Sequence, residues 1–371
     1  MPLTLGSLLQ RLEKSKPGER LVYVMPSSSG PCRFGIYNLL NKIVLERLGW
    51  NDRLRIWSPK DSGYFDQLPA GTEMLVLAGI LATDLLQQAQ MDVRPRESHP
   101  GKANALYDRF LAELLAVIER AAANDLGLGP SLAQVLGGRL FGVAELLERA
   151  GIEFAALRGP GDLPLVELTG EIYVRGVPFS NDYIVQKLER CGLRVRISPH
   201  AEWIAYCGYR RRENSGGFLV NRLSDHLQHR IEAVACAALA PHLGWAERPD
   251  ITETLQASRG YVSESLDGEA VLTVGGAVHE WRHGHIDGVV CVGPLECMPT
   301  KIAEAQFHHV AEREGLLSLT LAFNGDPISL SVLDSFAFEV RTRHAQRRGQ
   351  SARDSERRAS PFAQPSVLKR A

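Results

Sequence analysis

What the chain lacks narrows its class first. No uninterrupted apolar run approaches the ~20 residues of a membrane-spanning helix, so none is expected. The opening stretch, MPLTLGSLLQRLEKSKPGER, has apolar positions at helical spacing but no signal-peptide core, which points to the cytoplasm. Six cysteines in 371 residues are too few for a disulfide framework. In a reducing compartment each is a small buried hydrophobe, a metal ligand or a reactive thiol. A nucleotide-binding loop is missing as well. RGPGDLPLV precedes a strand rather than a helix, and HPGKANAL lacks the first half of a Walker loop, so the chain is not itself an ATP-driven activator. Charge of one sign is scarce overall and concentrated at the end. Residues 341–371 carry nine Lys/Arg against two acids, which divides the net charge of -1 into +7 for the tail and -8 for the rest. The tail is polar, contains Ser and Pro and has no apolar period, so disorder is expected over 346–371. A solvated basic terminus accounts for its charge without nucleic acid.

What is present is an alternation of short apolar strands and amphipathic helices. RLVYVM, RLRIW, EMLVLAG, EIYVRG, RVRIS, IDGVVCVG and LLSLTLAF read as strands. RFGIYNLLNKIVLERLG, SNDYIVQKLERCG, GEAVLTVGGAVHEWRHGH and TKIAEAQFHHVAERE read as helices, as do 80–90, 104–123, 131–150 and 328–345. Residues 200–257 are mostly helical, interrupted by RRRENSGG. Such alternation predicts an α/β fold with parallel sheets covered on both faces. A chain this long exceeds the reach of one core. Two α/β domains are therefore expected, 1–160 and 168–345, joined through the Gly- and Pro-rich segment at 158–169, with 200–257 a helical insertion in the second.

Two turns carry chemistry. PSSSGPCRFGIYNLL sets Cys32 and Arg33 between a strand and a helix, and GVVCVGPLECMPTKIAEA sets Cys297 in the same kind of turn. A thiol at a helix N-terminus feels the positive end of the helix dipole and free backbone N–H groups, both of which favour thiolate. In doubly wound folds ligands gather at the carboxyl ends of strands, where both turns should lie. By themselves, two isolated cysteines in tight turns read as ordinary turn structure more readily than as a metal site.

Four stretches in order, GPCRFGIYN (30–38), GEIYVRGVPFSNDYIVQKLE (170–189), GEAVLTVGGA (268–277) and DGVVCVGPLECMPTKIAEA (287–305), together resemble the 2-hydroxyacyl-CoA dehydratase family. The likeness is greatest to its activase-related members, and to the C-terminal part of the long ones. The resemblance implies two flavodoxin-like domains with a [4Fe–4S]-type cluster between them, held by Cys32 and Cys297. It implies an ATP-dependent activator or activase-related subunit as electron donor, and an acyl-CoA-type substrate. It also places Arg33, Arg175 and Asn181 in the cleft, where an arginine can pair with a phosphate or offset cluster charge. A cluster normally takes four ligands, most often cysteine, and two motif cysteines do not complete the set. Cys291 lies within a strand run, Cys191 closes a helix and Cys236 sits on an apolar helical face, while Cys207 follows PHAEWI and could approach the cleft. The remaining ligands would come from another subunit or a substrate. The alternative is a non-catalytic partner subunit with an incomplete or shared site.

Two further motifs have plainer readings. HEWRH (279–283) satisfies H-E-x-x-H, but Gly284 ends the helix at once and no clear downstream ligand follows, although His285 adds an imidazole. A polar helix end is expected there, and His308 and His309 read as helix-surface or core residues. In RGVPFSND, Ser180 is expected to cap a helix, with Asp182 complementing its dipole.

Overall fold

A computed structural model describes residues 2–60, 65, 68–124, 126–214, 218–246 and 248–359. The first apolar strands form where their period-2 pattern puts them. Helix α1 (Pro2–Glu13), strand β1 (Leu21–Val24), helix α2 (Tyr37–Arg47) and strand β2 (Leu54–Trp57) make a small amino-terminal unit. β1 and β2 pair in parallel, Leu21 opposite Leu54. Their inward residues Leu21, Tyr23, Leu54 and Ile56 pack on Leu8, Leu12 and Leu45, while Val22 and Val24 face outward.

The strand expected at 73–79 does not form; those residues belong to α3 (Ala70–Val93). A short apolar run cannot distinguish a buried strand from a buried helix, and here burial continues along Ala70–Val93 against the neighbouring helices, which decides for helix. α3 packs with α4 (Lys102–Ala122), α5 (Leu128–Leu136) and α6 (Val143–Leu157) around Leu81, Leu85, Phe110, Leu147 and Phe154. By length and composition α3 could cross a bilayer, but 61% of its apolar window is buried inside this protein.

The second sheet is built from β3 (Leu165–Gly170), β4 (Arg194–Ile197), β5 (Gly288–Pro294) and β6 (Ser318–Phe323). Between β3 and β4 run α7 (Ile172–Gly176) and α8 (Ile184–Arg190); between β4 and β5 run α9 (His200–Asn214), α10 (Phe218–Leu243), α11 (Ile251–Ser258) and α12 (Glu269–Arg282). α13 (Met298–Glu314) joins β5 to β6, and α14 (Leu330–Ala359) follows. The strands are parallel in the order β4-β3-β5-β6. One face, with Leu168, Val195, Val290 and Val292, is covered by α8 and α14; the other, with Val289 and Cys291, by α12 and α13. The chain is thus an α/β protein with two parallel sheets.

Local chemistry explains where the pattern and the structure part. EIYVRG is not a strand: β3 has already formed from LVELTG, inside the segment expected to be a junction, and Glu171 caps α7 by accepting from the Val174 N–H. Ser180 does not cap α8; its hydroxyl donates to the Val177 carbonyl at 2.7 Å. Residues 210–214 stay in α9, and 215–217 lie outside the described residues. The tail expected to be disordered from 346 is helical through Ala359, as α14, and 360–371 lie outside the described residues. The glycine pair of α12 does not break it. A Cβ on Gly275 would lie 2.2 Å from the Thr254 carbonyl oxygen, so that glycine allows α11 and α12 to cross closely.

The chain leaves β3 first to β4 on one side and then returns to β5 on the other, which opens a crevice at the carboxyl ends of β3 and β5. Gly170 (φ +104°) closes β3 there, and a Cβ on it would sit 2.1 Å from the Val292 carbonyl oxygen. Gly170→Ala is expected to cost about 3 kcal/mol or more, through strain and a split β3–β5 ladder. The check is a urea transition shifted to lower midpoint at constant slope; an unshifted midpoint would show that the two strands tolerate the methyl.

Candidate functional site

The crevice is assembled from three directions. From β3, the Glu171 N–H donates to the Val292 carbonyl at 2.8 Å, fixing the start of α7 beside β5. From β5, Cys297 is the N-cap of α13: its N–H donates to the Pro294 carbonyl at 3.0 Å and its carbonyl accepts from the Lys301 N–H at 2.9 Å. Pro299 follows at the second helical position, where no N–H is needed. From the amino-terminal unit comes Cys32, the N-cap of a 3-10 turn, Arg33–Ile36, that leads into α2. Gly30 (φ +74°) docks that loop: a Cβ on it would meet the carbonyl oxygens of Asp267 and Leu266 at 2.7 and 2.8 Å. The loop backbone therefore lies directly on the turn before α12.

Docking brings the two motif thiols into one electrostatic neighbourhood. Tyr37 lies in the field of both Cys32 and Cys297, and each thiol lies in the fields of Glu269 and Glu171. Both thiols are pushed above the ordinary cysteine pKa, chiefly by burial and further by those carboxylates. The Ser28 side chain and the Phe34 N–H pull Cys32 back toward thiolate, and the Thr300 side chain and N–H do so for Cys297. The net direction corrects the expectation from helix dipoles. Desolvation in a half-buried crevice outweighs a few first-turn amides. A bound cation would reverse the balance, and the same donors would then be hydrogen bonds to metal-bound sulfur.

Charge at the crevice floor is only partly matched. Arg175 is 4% exposed; its Nη1 donates to the Gly170 carbonyl at 2.9 Å and its Nη2 to the Pro199 carbonyl at 3.3 Å. Its nearest carboxylate, Glu269, is 4.0 Å away. Arg175 Nε and Glu269 Oε1 are both buried without a hydrogen-bond partner. Burial and Glu171 push the Glu269 carboxyl up, against the pull of Arg175 and the Ile172 N–H.

The other candidate residues have distinct settings. Arg33 is exposed on the 3-10 turn, with its charge reaching Tyr37. Asn181 is buried and spent on the backbone: its amide donates to the Val174 carbonyl at 2.7 Å and its oxygen accepts from the Ile184 N–H at 3.2 Å. Asn181 thus accepts from the first N–H of α8 and holds the turn that carries Arg175. Cys291 is fully buried in β5, and burial pushes its thiol far up. Cys207 is buried in α9, Cys236 packs in the helical core, and Cys191 donates to Asp334 Oδ1 at 3.4 Å. Among the described residues, no group of three or more His, Cys, Asp or Glu side chains is arranged to hold a metal. Cys32 and Cys297 lie in the fields of the same two carboxylates, and a four-ligand cluster would need the rest of its ligands from elsewhere.

Behind the crevice lies a charged interior that the residue pattern did not announce. Arg196 on β4 bridges Glu167 of β3 at 2.8 Å and Glu280 of α12 at 2.6 Å, and Glu167 also accepts from Ser198 at 2.7 Å. A cavity of about 70 Å³ adjoins it, lined in part by Glu202, Gln228, Glu232 and Arg248. The Glu202 carboxyl is pushed up to about 8, chiefly by burial. A Cβ on Gly276 would stand 3.4 Å from Glu202 Oε1, so the second glycine of the α12 pair packs beside that carboxylate. Glu171, Glu269 and Tyr37 likewise look like routine turn and helix-start residues until the chain is folded.

Comparison with protein-family models, with curated proteins and with solved structures finds no match. The likeness to the dehydratases therefore rests on the four sequence stretches alone.

Proposed function

We propose that Cys32 and Cys297 hold an iron–sulfur cluster of the [4Fe–4S] type in this crevice, for low-potential electron transfer to an acyl-CoA-type substrate or a protein partner. One observation carries the reading: two motif thiols from separate parts of the chain share an environment at the carboxyl ends of β3 and β5. The donor chemistry fits in part. Soft thiolates suit iron, amide donors stand beside both sulfurs, and the buried Arg175 offsets negative charge. Such a cluster would supply one-electron chemistry, while the chain orients, desolvates and hydrogen-bonds. Arg33, exposed at the mouth, is suited to a phosphate of the CoA moiety; Asn181 serves by holding the Arg175 turn. The order β4-β3-β5-β6 is that of a flavodoxin-like sheet short of its fifth strand, which supports that assignment for the second domain.

The incomplete thiol set favours a second reading: a subunit that shares its cluster with a partner, such as an ATP-dependent activator or activase-related chain in the same reducing compartment. Anaerobic purification, with iron and acid-labile sulfide assays and electron paramagnetic resonance after reduction, tests both. Stoichiometric cluster in the isolated chain supports the first; iron acquired only with the partner supports the second. Protein that stays iron-free in both settings overturns the proposal.

A further inference from the structure

The cavity beside the Arg196 network lies where α9, α10, α11 and α12 meet, and three charged side chains line it with nothing to pair with. Glu202 comes from the first turn of α9 and Glu232 from the middle of α10. Arg248 comes from the turn that joins α10 to α11. That turn is fixed at both ends. Gly244 (φ +65°) closes α10, with its N–H on the Pro241 carbonyl and the Trp245 N–H on the Ala240 carbonyl, each at 3.2 Å. Asp250 then opens α11 through a capping box with Glu253. The backbone, rather than a partner, sets where Arg248 stands.

The other carboxylates on the cavity wall are matched. Asp84 holds His200 Nδ1 at 2.8 Å, and Glu167 and Glu280 share Arg196. Asp225 pairs with Arg212 at 3.1 Å, and Asp250 accepts from the Glu253 N–H at 2.8 Å. Among the described residues, Glu202, Glu232 and Arg248 make no hydrogen bond or ion pair. They share a field without a contact. Arg248 acts on both carboxyls, as Arg175 does on Glu202 and His229 on Glu232, but burial outweighs these cations and pushes both carboxyls up.

An unpaired charge in a closed space is costly, and a ligand of opposite charge offsets that cost. Two carboxyls served by one guanidinium lack a cation, and a protonated amine supplies it. A guanidinium with no carboxylate in contact has its two-pronged donor face free for one. The space limits size: a water-sized group takes about 10–15 Å³, so the cavity of about 70 Å³ holds roughly five to seven non-hydrogen atoms. Leu81, Leu85 and Ala205 complete the wall and suit a short aliphatic stem.

We propose that this cavity binds a small zwitterion, a short-chain amino acid whose ammonium group is taken by Glu202 and Glu232 and whose carboxylate pairs with Arg248. The site is distinct from the Cys32–Cys297 crevice and does not depend on a cluster there.

The test is calorimetry and equilibrium dialysis of the full chain at pH 8 with glycine, alanine and β-alanine. One equivalent of at least one of them should bind with a Kd of about 1 mM or lower, and phenylalanine, too large for the space, should not bind. Ethylamine and propionate, which carry one charge each, should bind at least ~10-fold more weakly than the zwitterion. Arg248→Gln and Glu202→Gln should each weaken the zwitterion at least ~10-fold while circular dichroism stays unchanged. Each replaces a side chain that has no partner in the fold, so neither leaves another group orphaned. A cavity that takes up water alone, seen as no saturable binding of the three amino acids at about 10 mM, overturns the site. So does binding that both variants leave unchanged, or that phenylalanine matches. None of these results bears on the iron–sulfur proposal, which is read from iron.

Discussion

Replacing Cys32 or Cys297 with serine is expected to strip about half or more of the iron from anaerobically purified protein while leaving it soluble. A serine hydroxyl is a hard, protonated donor at neutral pH and a poor substitute for thiolate on iron. Both thiols are only partly buried and sit in N-cap turns, so losing sulfur opens no core cavity. Cys236→Ala is the control. Its thiol packs in the helical core, so iron should be unaffected and stability should fall by about 1 kcal/mol. Iron that stays constant in both serine variants would remove Cys32 and Cys297 as ligands.

A second large effect is expected at Glu202. Its carboxyl ordinarily titrates near 4.5 but is pushed up to about 8 in the folded chain. Between those values the folded protein keeps a proton that the unfolded chain has released. Stability therefore falls as pH rises through that window, by an amount on the order of a few kcal/mol, and levels off above it. Glu202 is half-buried where it lines the cavity. Glu202→Gln keeps the shape and removes the ionisation. It should match the parent chain near pH 5 and exceed it near pH 8 in urea midpoint. Parallel pH profiles for the two proteins would show that Glu202 is not protonated in the fold.

The cavity and the crevice are linked through Arg175, whose charge acts on both Glu269 and Glu202. Arg175 is therefore the side chain whose loss should disturb both places at once. It leaves Glu269 without its neighbouring cation, Glu202 with Arg248 alone, and two carbonyls, Gly170 and Pro199, without that donor.

Local pattern carried a good part of this structure. β1, β2, β4, β5 and β6, the helices from α8 to α13, and the placement of both cysteines at helix starts were all legible, because each depends on the period of nearby apolar residues or on a Gly or Pro at a fixed offset. α3 was misassigned for the opposite reason. A run that is apolar on every side has no period to read, and only its burial among α4, α6 and α10 settles its form. β3 was hidden because it begins straight after a Gly- and Pro-rich turn, in a segment whose composition looks like a linker. The Arg196 network and the Glu202 cavity had no local signature, since their charges come from β3, β4, α9, α10 and α12.

By itself, then, the residue order determined which segments are apolar enough to form strands, which turns carry a thiol, and where glycine must bend the chain. Those properties follow from side chains a few residues apart. Only the folded chain decided that Cys32 and Cys297 lie in the fields of the same carboxylates, that burial outweighs the helix ends in setting their protonation, and that the turn at Gly284 lays the His285 ring beside that of His283. Fields and desolvation act through space, and neither is written in the spacing of residues along a line.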